Sequence, residues 1–372
     1  MRSIEGTPLM TTPTVLLVGA RGFGAVHLEN LERLRERADL IGLVDPAGPP
    51  EQGYGAEAPH WPSLDDAFAA GIRPDVVIVA TPTGTHFSLA ASALEHGADV
   101  YLEKPPVASM EQFDELLRIQ ERTGRAVQIG FQSLGSHALA EIAGLGEPTA
   151  IATWGAWTRD AAYWSRSSWA GRRSLDGAPI VDGVLTNALS HAIATALRIA
   201  GARRREDVAR VELELLHAAD IAADDTSAAR ITLRDGLRIG VALTLASATS
   251  SPPLVHVRTT GTEIVFSYTE DLLTDDSGVR RTGRTDLFEE LLDHRERGTA
   301  LTSALIDNGA YMEVLEAVRT APDPRPIPEA QLDVSGEGAS TVRAVRDASE
   351  WVERTARAGA LFSEAGAPFA QG

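Results

Sequence analysis

Short apolar runs alternate with amphipathic stretches between Thr14 and Gly130, the spacing of a parallel sheet covered by helices. Strands are expected at residues 14–19 (TVLLVG), 40–44, 76–80, 100–102 and 126–129, each followed by a helix or turn. The helix beginning at Ser109 opens with Ser-Met-Glu-Gln, a capping box, and ends near Thr123-Gly124; another over residues 86–96 stops at Gly97.

Beyond Gly130 the rhythm changes to longer runs of alternating or β-branched residues, at 149–158, 211–216, 227–233, 237–245 and 262–268. Helices are expected at 187–199, 286–297 and 309–319, and a last one from about 340 to 360 after the proline-rich joint APDPRPIPEA. The pattern predicts an α/β fold: an N-terminal Rossmann doubly wound parallel sheet, then a C-terminal α+β domain with an open, mostly antiparallel sheet. The expected division is 1–131, 132–330, and a tail 331–372 packing back on the body.

A chain of 372 residues is long enough for two cores. It has no cysteine, which removes disulfides, thiolate nucleophiles and cysteine-ligated metals. A formal net charge of −18 disfavours nucleic acid and anionic membranes as partners. Without an apolar run of membrane-spanning length or a signal-like start, the expectation is a cytoplasmic protein with residues 1–12 as a loose leader. No metal-ligand spacing stands out among the histidines, and Asp224-Asp225, just before a strand, reads as a solvated loop rather than a metal site.

Gly19-Ala-Arg-Gly-Phe-Gly24 follows the first strand and opens the first helix, where a glycine turn exposes backbone N–H groups and a helix N-terminus to a pyrophosphate. Gly19, Arg21, Gly22, Phe23 and Gly24 are therefore candidate cofactor contacts. Asp45, at the end of the second strand, stands where a carboxylate accepts hydrogen bonds from an adenosine ribose and repels a 2′-phosphate. NAD is thus expected over NADP, with one departure. Arg21 occupies the place of the usual middle glycine, and its guanidinium could lie beside the phosphates or face a 2′-phosphate.

ATPTGTH (residues 80–86) and Glu103-Lys104-Pro105-Pro106 lie at the C-terminal ends of the third and fourth expected strands, the ligand edge of an open α/β sheet. Together with VGARGFGAVHL, EHGADVYLEKP and AVQIGFQ, they resemble the Gfo/Idh/MocA family (glucose–fructose oxidoreductase and inositol dehydrogenase relatives), strongly over residues 14–132 and traceably to about 320. The resemblance implies that Lys104 reaches both the nicotinamide and the reacting oxygen, and that Thr81, Pro82, Thr83, His86, Glu103 and Gln132 border the cofactor. His86 is expected close to the nicotinamide and His27 in packing. The segment Asn187-Ala-Leu-Ser-His191 resembles the family's Asp-x-Gly-x-His helix, which makes His191 the acid or base for the substrate hydroxyl, with an ordinary histidine pKa near neutrality. Asn187 and Leu189 replace the aspartate and glycine, and an amide can orient a hydroxyl but cannot take its proton.

Four of the six tryptophans fall between Trp154 and Trp169. Trp154, Trp157, Arg159, Tyr163, Trp164 and Arg172 are candidate substrate contacts, since aromatic faces stack on sugar rings and the interleaved Arg159, Arg166, Arg172 and Arg173 could hold a carboxylate, sulfonate or phosphate; equally, the rings could fill a hinge or a subunit interface. The expected function is an NAD-dependent oxidoreductase moving a hydride to or from a secondary alcohol of a sugar, glycoside or cyclitol. Two alternatives stand beside it: a redox-assisted glycosidase that retains its NAD, and a non-catalytic NAD-binding regulator. A homodimer or homotetramer is expected, joined through the β-runs of 211–245.

Overall fold

The structure is a computed structural model that describes residues 12–371; the expected leader lies, apart from Thr12, outside the described residues. The N-terminal part runs β1 (Thr14–Val18), α1 (Phe23–Arg33), β2 (Asp39–Val44), β3 (His60–Trp61), α2 (Leu64–Ala69), β4 (Val76–Val79), α3 (His86–Glu95), β5 (Asp99–Leu102), α4 (Met110–Thr123) and β6 (Val127–Ile129). Its six strands pair in parallel in the order β3-β2-β1-β4-β5-β6. The order reverses between β1 and β4, which opens a crevice above their carboxyl ends. β4 and β5 are buried along their whole length, as apolar parallel strands covered on both faces must be. Ser109 accepts from Gln112 N at the start of α4, and Gly124 closes it in the left-handed conformation.

The chain continues through α5 (Ala138–Ala143), β7 (Ala150–Thr158), α6 (Ala161–Trp164), a small hairpin of β8 (Ser174–Leu175) and β9 (Ala178–Pro179), and α7 (Ser190–Ile199). Next come β10 (Val208–His217), β11 (Thr226–Leu233), β12 (Arg238–Thr244), β13 (Ala246–Arg258), β14 (Glu263–Ser267), β15 (Leu272–Asp275), β16 (Gly278–Arg281), α8 (Leu287–Arg297), α9 (Gly309–Thr320) and β17 (Arg325–Pro326). Nine strands form one sheet, β16-β15-β14-β13-β7-β12-β11-β10-β17, antiparallel except at β7–β12 and β10–β17. β13, the longest strand, was not expected: Pro252 and Pro253 interrupt its alternation, and the ladder with β7 accommodates them through register shifts between Ala246 and Leu254.

The end of the chain also departs from expectation. Residues 340–347 do not begin a helix; they belong mostly to a hairpin of β18 (Leu332–Ser335) and β19 (Val342–Val345), and α10 spans Ala348–Ala358. Val352, Ala356, Phe362 and Phe369 bury one face of the nine-stranded sheet, against Ala152, Trp154, Ala228 and Ala242. The part of the sheet expected to join a second copy is therefore covered on that face by the chain's own C-terminal segment. α7 packs on the other face with the main core. α8 returns to the N-terminal sheet, where Leu287, Phe288 and Leu291 join Val15, Leu17 and Leu31, and Arg295 pairs with Asp75 and Asp99. Among the described residues no helix is long and apolar enough to cross a membrane.

Candidate active site

A cleft of about 870 Å3 lies over the β1–β4 switch point and runs to the C-terminal end of β5. Its floor is the glycine turn. A Cβ on Gly19, whose φ is +87°, would stand 2.4 Å from Ala80 O, and one on Gly24 would stand 1.9 Å from Gly19 O. Only glycine lets the turn pack this tightly, with the N-terminus of α1 opening beside Gly22 and Phe23. Gly24 itself is buried, so its role is packing rather than contact.

Arg21 turns away from the glycine cradle. Its Nη1 lies 2.9 Å from Asp45 Oδ1 and its Nη2 donates to Ala47 O at 2.9 Å. Asp45 also accepts from Ala20 N (3.0 Å) and Ala47 N (2.9 Å), so this carboxylate stands at the cleft wall already paired with a cation.

Thr81, Pro82 and Thr83, after β4, line the cleft. His86 does not: it is 1 % exposed, with Nδ1 2.8 Å from Pro105 O and Nε2 2.8 Å from Thr81 O. It ties the β4 loop to the β5 loop, and burial pulls its pKa down. His27 is more than packing, because its Nε2 lies 2.9 Å from Glu103 Oε1. Gln132 donates to the same oxygen at 3.2 Å and stands behind Glu103, not in the cleft lining, whereas Glu103 and Lys104 both border the cleft. Glu103 is thus fixed from two sides beneath the lysine that follows it.

Lys104 is the one lysine of the chain; the other 33 of its 34 Lys and Arg residues are arginine. Lysine carries a compact ammonium that can change its protonation, where arginine carries a planar fork that does not. Lys104 Nζ donates to Asn187 Oδ1 at 2.8 Å and to Asn187 O at 3.0 Å. Burial lowers its pKa, while Glu103 and Asp182 oppose that shift.

Asn187 and His191 do not share one regular helix. Val184–Ala188 form a π-turn, and α7 begins only at Ser190. Such turns widen the helix and re-aim side chains. Tyr311 Oη donates to Thr186 O at 2.9 Å, and the buried Asp224 crowds Gly183, leaving no room for a Cβ there. The expected solvated pair Asp224-Asp225 is therefore structural: both are buried, Asp224 accepting from Ser227 Oγ and Asp225 from Ala218 N, Ala219 N and Thr226 Oγ1.

His191 packs edge-on to Phe131 and stacks on Tyr268, with ring centroids 5.4 and 6.2 Å away, and its Nδ1 lies 3.2 Å from Ser133 Oγ. Burial first, and then the charges of Lys104 and Arg284, lower its pKa to about 3. The imidazole, well below the unperturbed value near neutrality, is thus neutral at physiological pH. Lys104 and Asn187 line the cleft; His191 is not among its lining residues.

The aromatic segment divides. Trp154 points to the far side of the sheet, buried at 6 % exposure under α10, with Arg357 over its ring at 4.7 Å. Even positions of β7 face α10 and odd positions face α7, so Trp154 and Trp157 cannot share one site. Trp157 packs on the main core with Arg159 4.9 Å over its ring. Trp164 and Arg159 line a separate hollow of about 330 Å3. Tyr163 lies between Arg159 and Arg166, and Arg172 is exposed outside the cleft lining. What reaches the cleft is Arg166, one of the interleaved arginines read from the sequence as able to hold an anion, together with Ser167 and Trp169, the last of the four clustered tryptophans.

Residues 14–131 match the sequence profile of an oxidoreductase family with an NAD-binding Rossmann fold. The matched family is Gfo/Idh/MocA, and the match covers the N-terminal domain. Within that domain it is similar to scyllo-inositol 2-dehydrogenase (NAD(+)) of Bacillus subtilis, 28% identical over 127 residues that are 34% of this chain and 37% of the relative. It is likewise similar to 2,7-anhydro-N-acetylneuraminate hydratase of Mediterraneibacter gnavus, 32% identical over 117 residues, 31% of this chain and 30% of the relative. The match spans about a third of the length of these curated relatives. Over the whole fold the chain is similar to the WlbA dehydrogenase of Bordetella pertussis, solved in complex with NADH and UDP-GlcNAcA: TM-score 0.70, 18% identity, 83% of this chain and 95% of that one.

Proposed function

We propose that the protein is an NAD-dependent oxidoreductase acting on a secondary alcohol of a sugar, glycoside or cyclitol. The observation that carries this reading is the Lys104 ammonium in the cleft over the glycine turn, held by Asn187 four residues before His191 in the chain. The cleft suits a dinucleotide by its shape: the glycine turn leaves backbone room where a side chain would collide, and Asp45 stands ready for a ribose. Bound there, NAD supplies the acceptor or donor of a hydride.

The chain's own residues supply the rest. Lys104 keeps a third N–H after serving Asn187 twice, and that donor steadies negative charge on the reacting oxygen as the carbinol carbon loses hydride. Neutral His191, between Phe131 and Tyr268, exchanges the hydroxyl proton. Trp169 and Arg166 close the cleft from the second domain and exclude water. The inositol dehydrogenase relative and the sugar-nucleotide ligand of the structural neighbour favour a polyhydroxylated ring as substrate.

A relative named as a hydratase favours one second reading, in which the hydride returns to the product and no net redox change remains. A panel of sugars, glycosides and cyclitols read by nicotinamide absorbance tests the proposal. Stoichiometric NADH supports the dehydrogenase, product formed with catalytic NAD supports the redox-neutral reading, and no change with any member contradicts both. A regulator without chemistry would keep its biological activity in the Lys104→Ala and His191→Ala variants.

A further inference from the structure

The helix segment that carries His191 starts from an amide where the family pattern has an aspartate. The structure supplies a carboxylate from five residues upstream. Asp182 Oδ1 accepts from Asn187 Nδ2, and Asn187 Oδ1 accepts from Lys104 Nζ at 2.8 Å. The amide is thus fixed at both ends, its nitrogen facing an anion and its oxygen facing a cation. Turned over, it would set donor against donor at Lys104 and acceptor against acceptor at Asp182, so the carboxylate selects the orientation the lysine needs. Asp182 is itself 5 % exposed and held on its other oxygen by Gly171 N at 2.8 Å and Arg166 Nη2 at 3.3 Å.

We propose that Asp182 is the positioning residue of Lys104, acting through Asn187 to aim the ammonium and keep it protonated. The inference rests on the oxidoreductase reading only for what that ammonium does afterwards. The charged and titratable groups around Lys104 leave Asp182 this role. Glu103, the other carboxylate acting on Lys104, is committed to His27, Gln132 and the Lys104 backbone N–H. His191 is neutral, and Arg166 lies beyond Asp182, where it tempers the carboxylate without touching the lysine. Asp182 also joins the reacting lysine to the cleft-closing segment, because the carboxylate that orients Asn187 receives Arg166 and Gly171.

The single lysine makes this directly measurable. Protein grown with lysine labelled with 13C at the ε-carbon gives one side-chain resonance, whose pH titration reports Lys104 without substrate or cofactor. Asp182→Asn should lower the titration midpoint by about one pH unit, the effect of losing a nearby opposite charge. Moving the carboxylate one link closer, in Asp182→Asn/Asn187→Asp, should bring the midpoint back to the native value or above it. Once a substrate is in hand, kcat should fall in the single variant with little change in KM, and recover in the double variant. An unmoved midpoint in Asp182→Asn, or a double variant titrating no higher than the single one, overturns the proposal. Should Asp182→Asn not fold, Asp182→Glu decides: a midpoint near the native value supports the role of charge, and one that drops contradicts it. Because the titration needs no turnover, its failure leaves the oxidoreductase reading standing, and an inactive sugar panel leaves the titration interpretable.

Discussion

Lys104 Nζ donates to both oxygens of Asn187, 2.8 Å from the side-chain amide and 3.0 Å from the backbone carbonyl. One residue of the second domain therefore fixes the ammonium of the first. Replacing Lys104 by Arg keeps the charge but substitutes a planar fork that does not release its proton. We predict that Lys104→Arg and Lys104→Met lower kcat by about 10²–10⁴-fold, the usual worth of a positioned acid or base, while NADH affinity, measured by fluorescence titration, changes little.

The pH profile should lack the break that an ordinary histidine produces near 6.5. With His191 held near 3, its imidazole stays neutral across the working range, so kcat/KM should show no break around pH 6.5 from this group. The alkaline limb belongs to Lys104: its lowered pKa moves loss of the ammonium below the ordinary 10.5, and activity should fall there as pH rises. A titration of the histidine resonances that finds His191 with a midpoint near 6.5 would contradict the first statement.

Arg21 pairs with Asp45 from a side chain that is 56% exposed, so the pair adds little to stability and Arg21→Ala should leave Tm nearly unchanged. Its effect should appear in cofactor choice. Without the guanidinium, the Asp45 charge faces a 2′-phosphate unneutralised, and the ratio of the NADP+ to the NAD+ Kd should rise several-fold. Calorimetry with both cofactors measures it; an equal or smaller ratio removes Arg21 from cofactor selection.

Trp154 and Trp169 should behave oppositely. Trp154→Ala empties a buried site under α10 and should cost about 3–5 kcal/mol of stability, seen as a large drop in Tm. Trp169→Ala, at the cleft, should leave Tm close to native and raise the KM of cofactor or substrate.

The parallel sheet was readable because fully buried strands such as VVIV in β4 leave a continuous apolar signature, and because Ser109 and Gly124 carry the physical marks of a helix start and stop. The glycine turn and Lys104 were readable for similar reasons: each needs a residue type that nothing else replaces. The rest depends on side chains meeting across long sequence separations. Asp182 gains its place from a π-turn that no 3.6-residue periodicity announces, and Trp154 is excluded from the cleft by which face of β7 it occupies. β13 was hidden by two prolines whose bulges the sheet absorbs. The C-terminal cover is of the same kind, since the apolar positions of α10 do not say which surface they meet. Val352, 1 % exposed in that cover, makes a further test: Val352→Asp should lower Tm steeply and promote self-association of the uncovered sheet, visible in light scattering.

The central claim is that Lys104 and His191 serve a hydride transfer between a carbinol carbon and a nicotinamide. The most direct test incubates the protein with NAD+ and an accepted sugar or cyclitol carrying deuterium on the carbinol carbon, and reads the mass of the quenched nicotinamide cofactor. The account predicts NADH one mass unit heavier with the native protein, formed about 10²–10⁴-fold more slowly with Lys104→Met. Product formed without any label passing through the cofactor, or label transferred at the native rate without Lys104, would contradict it.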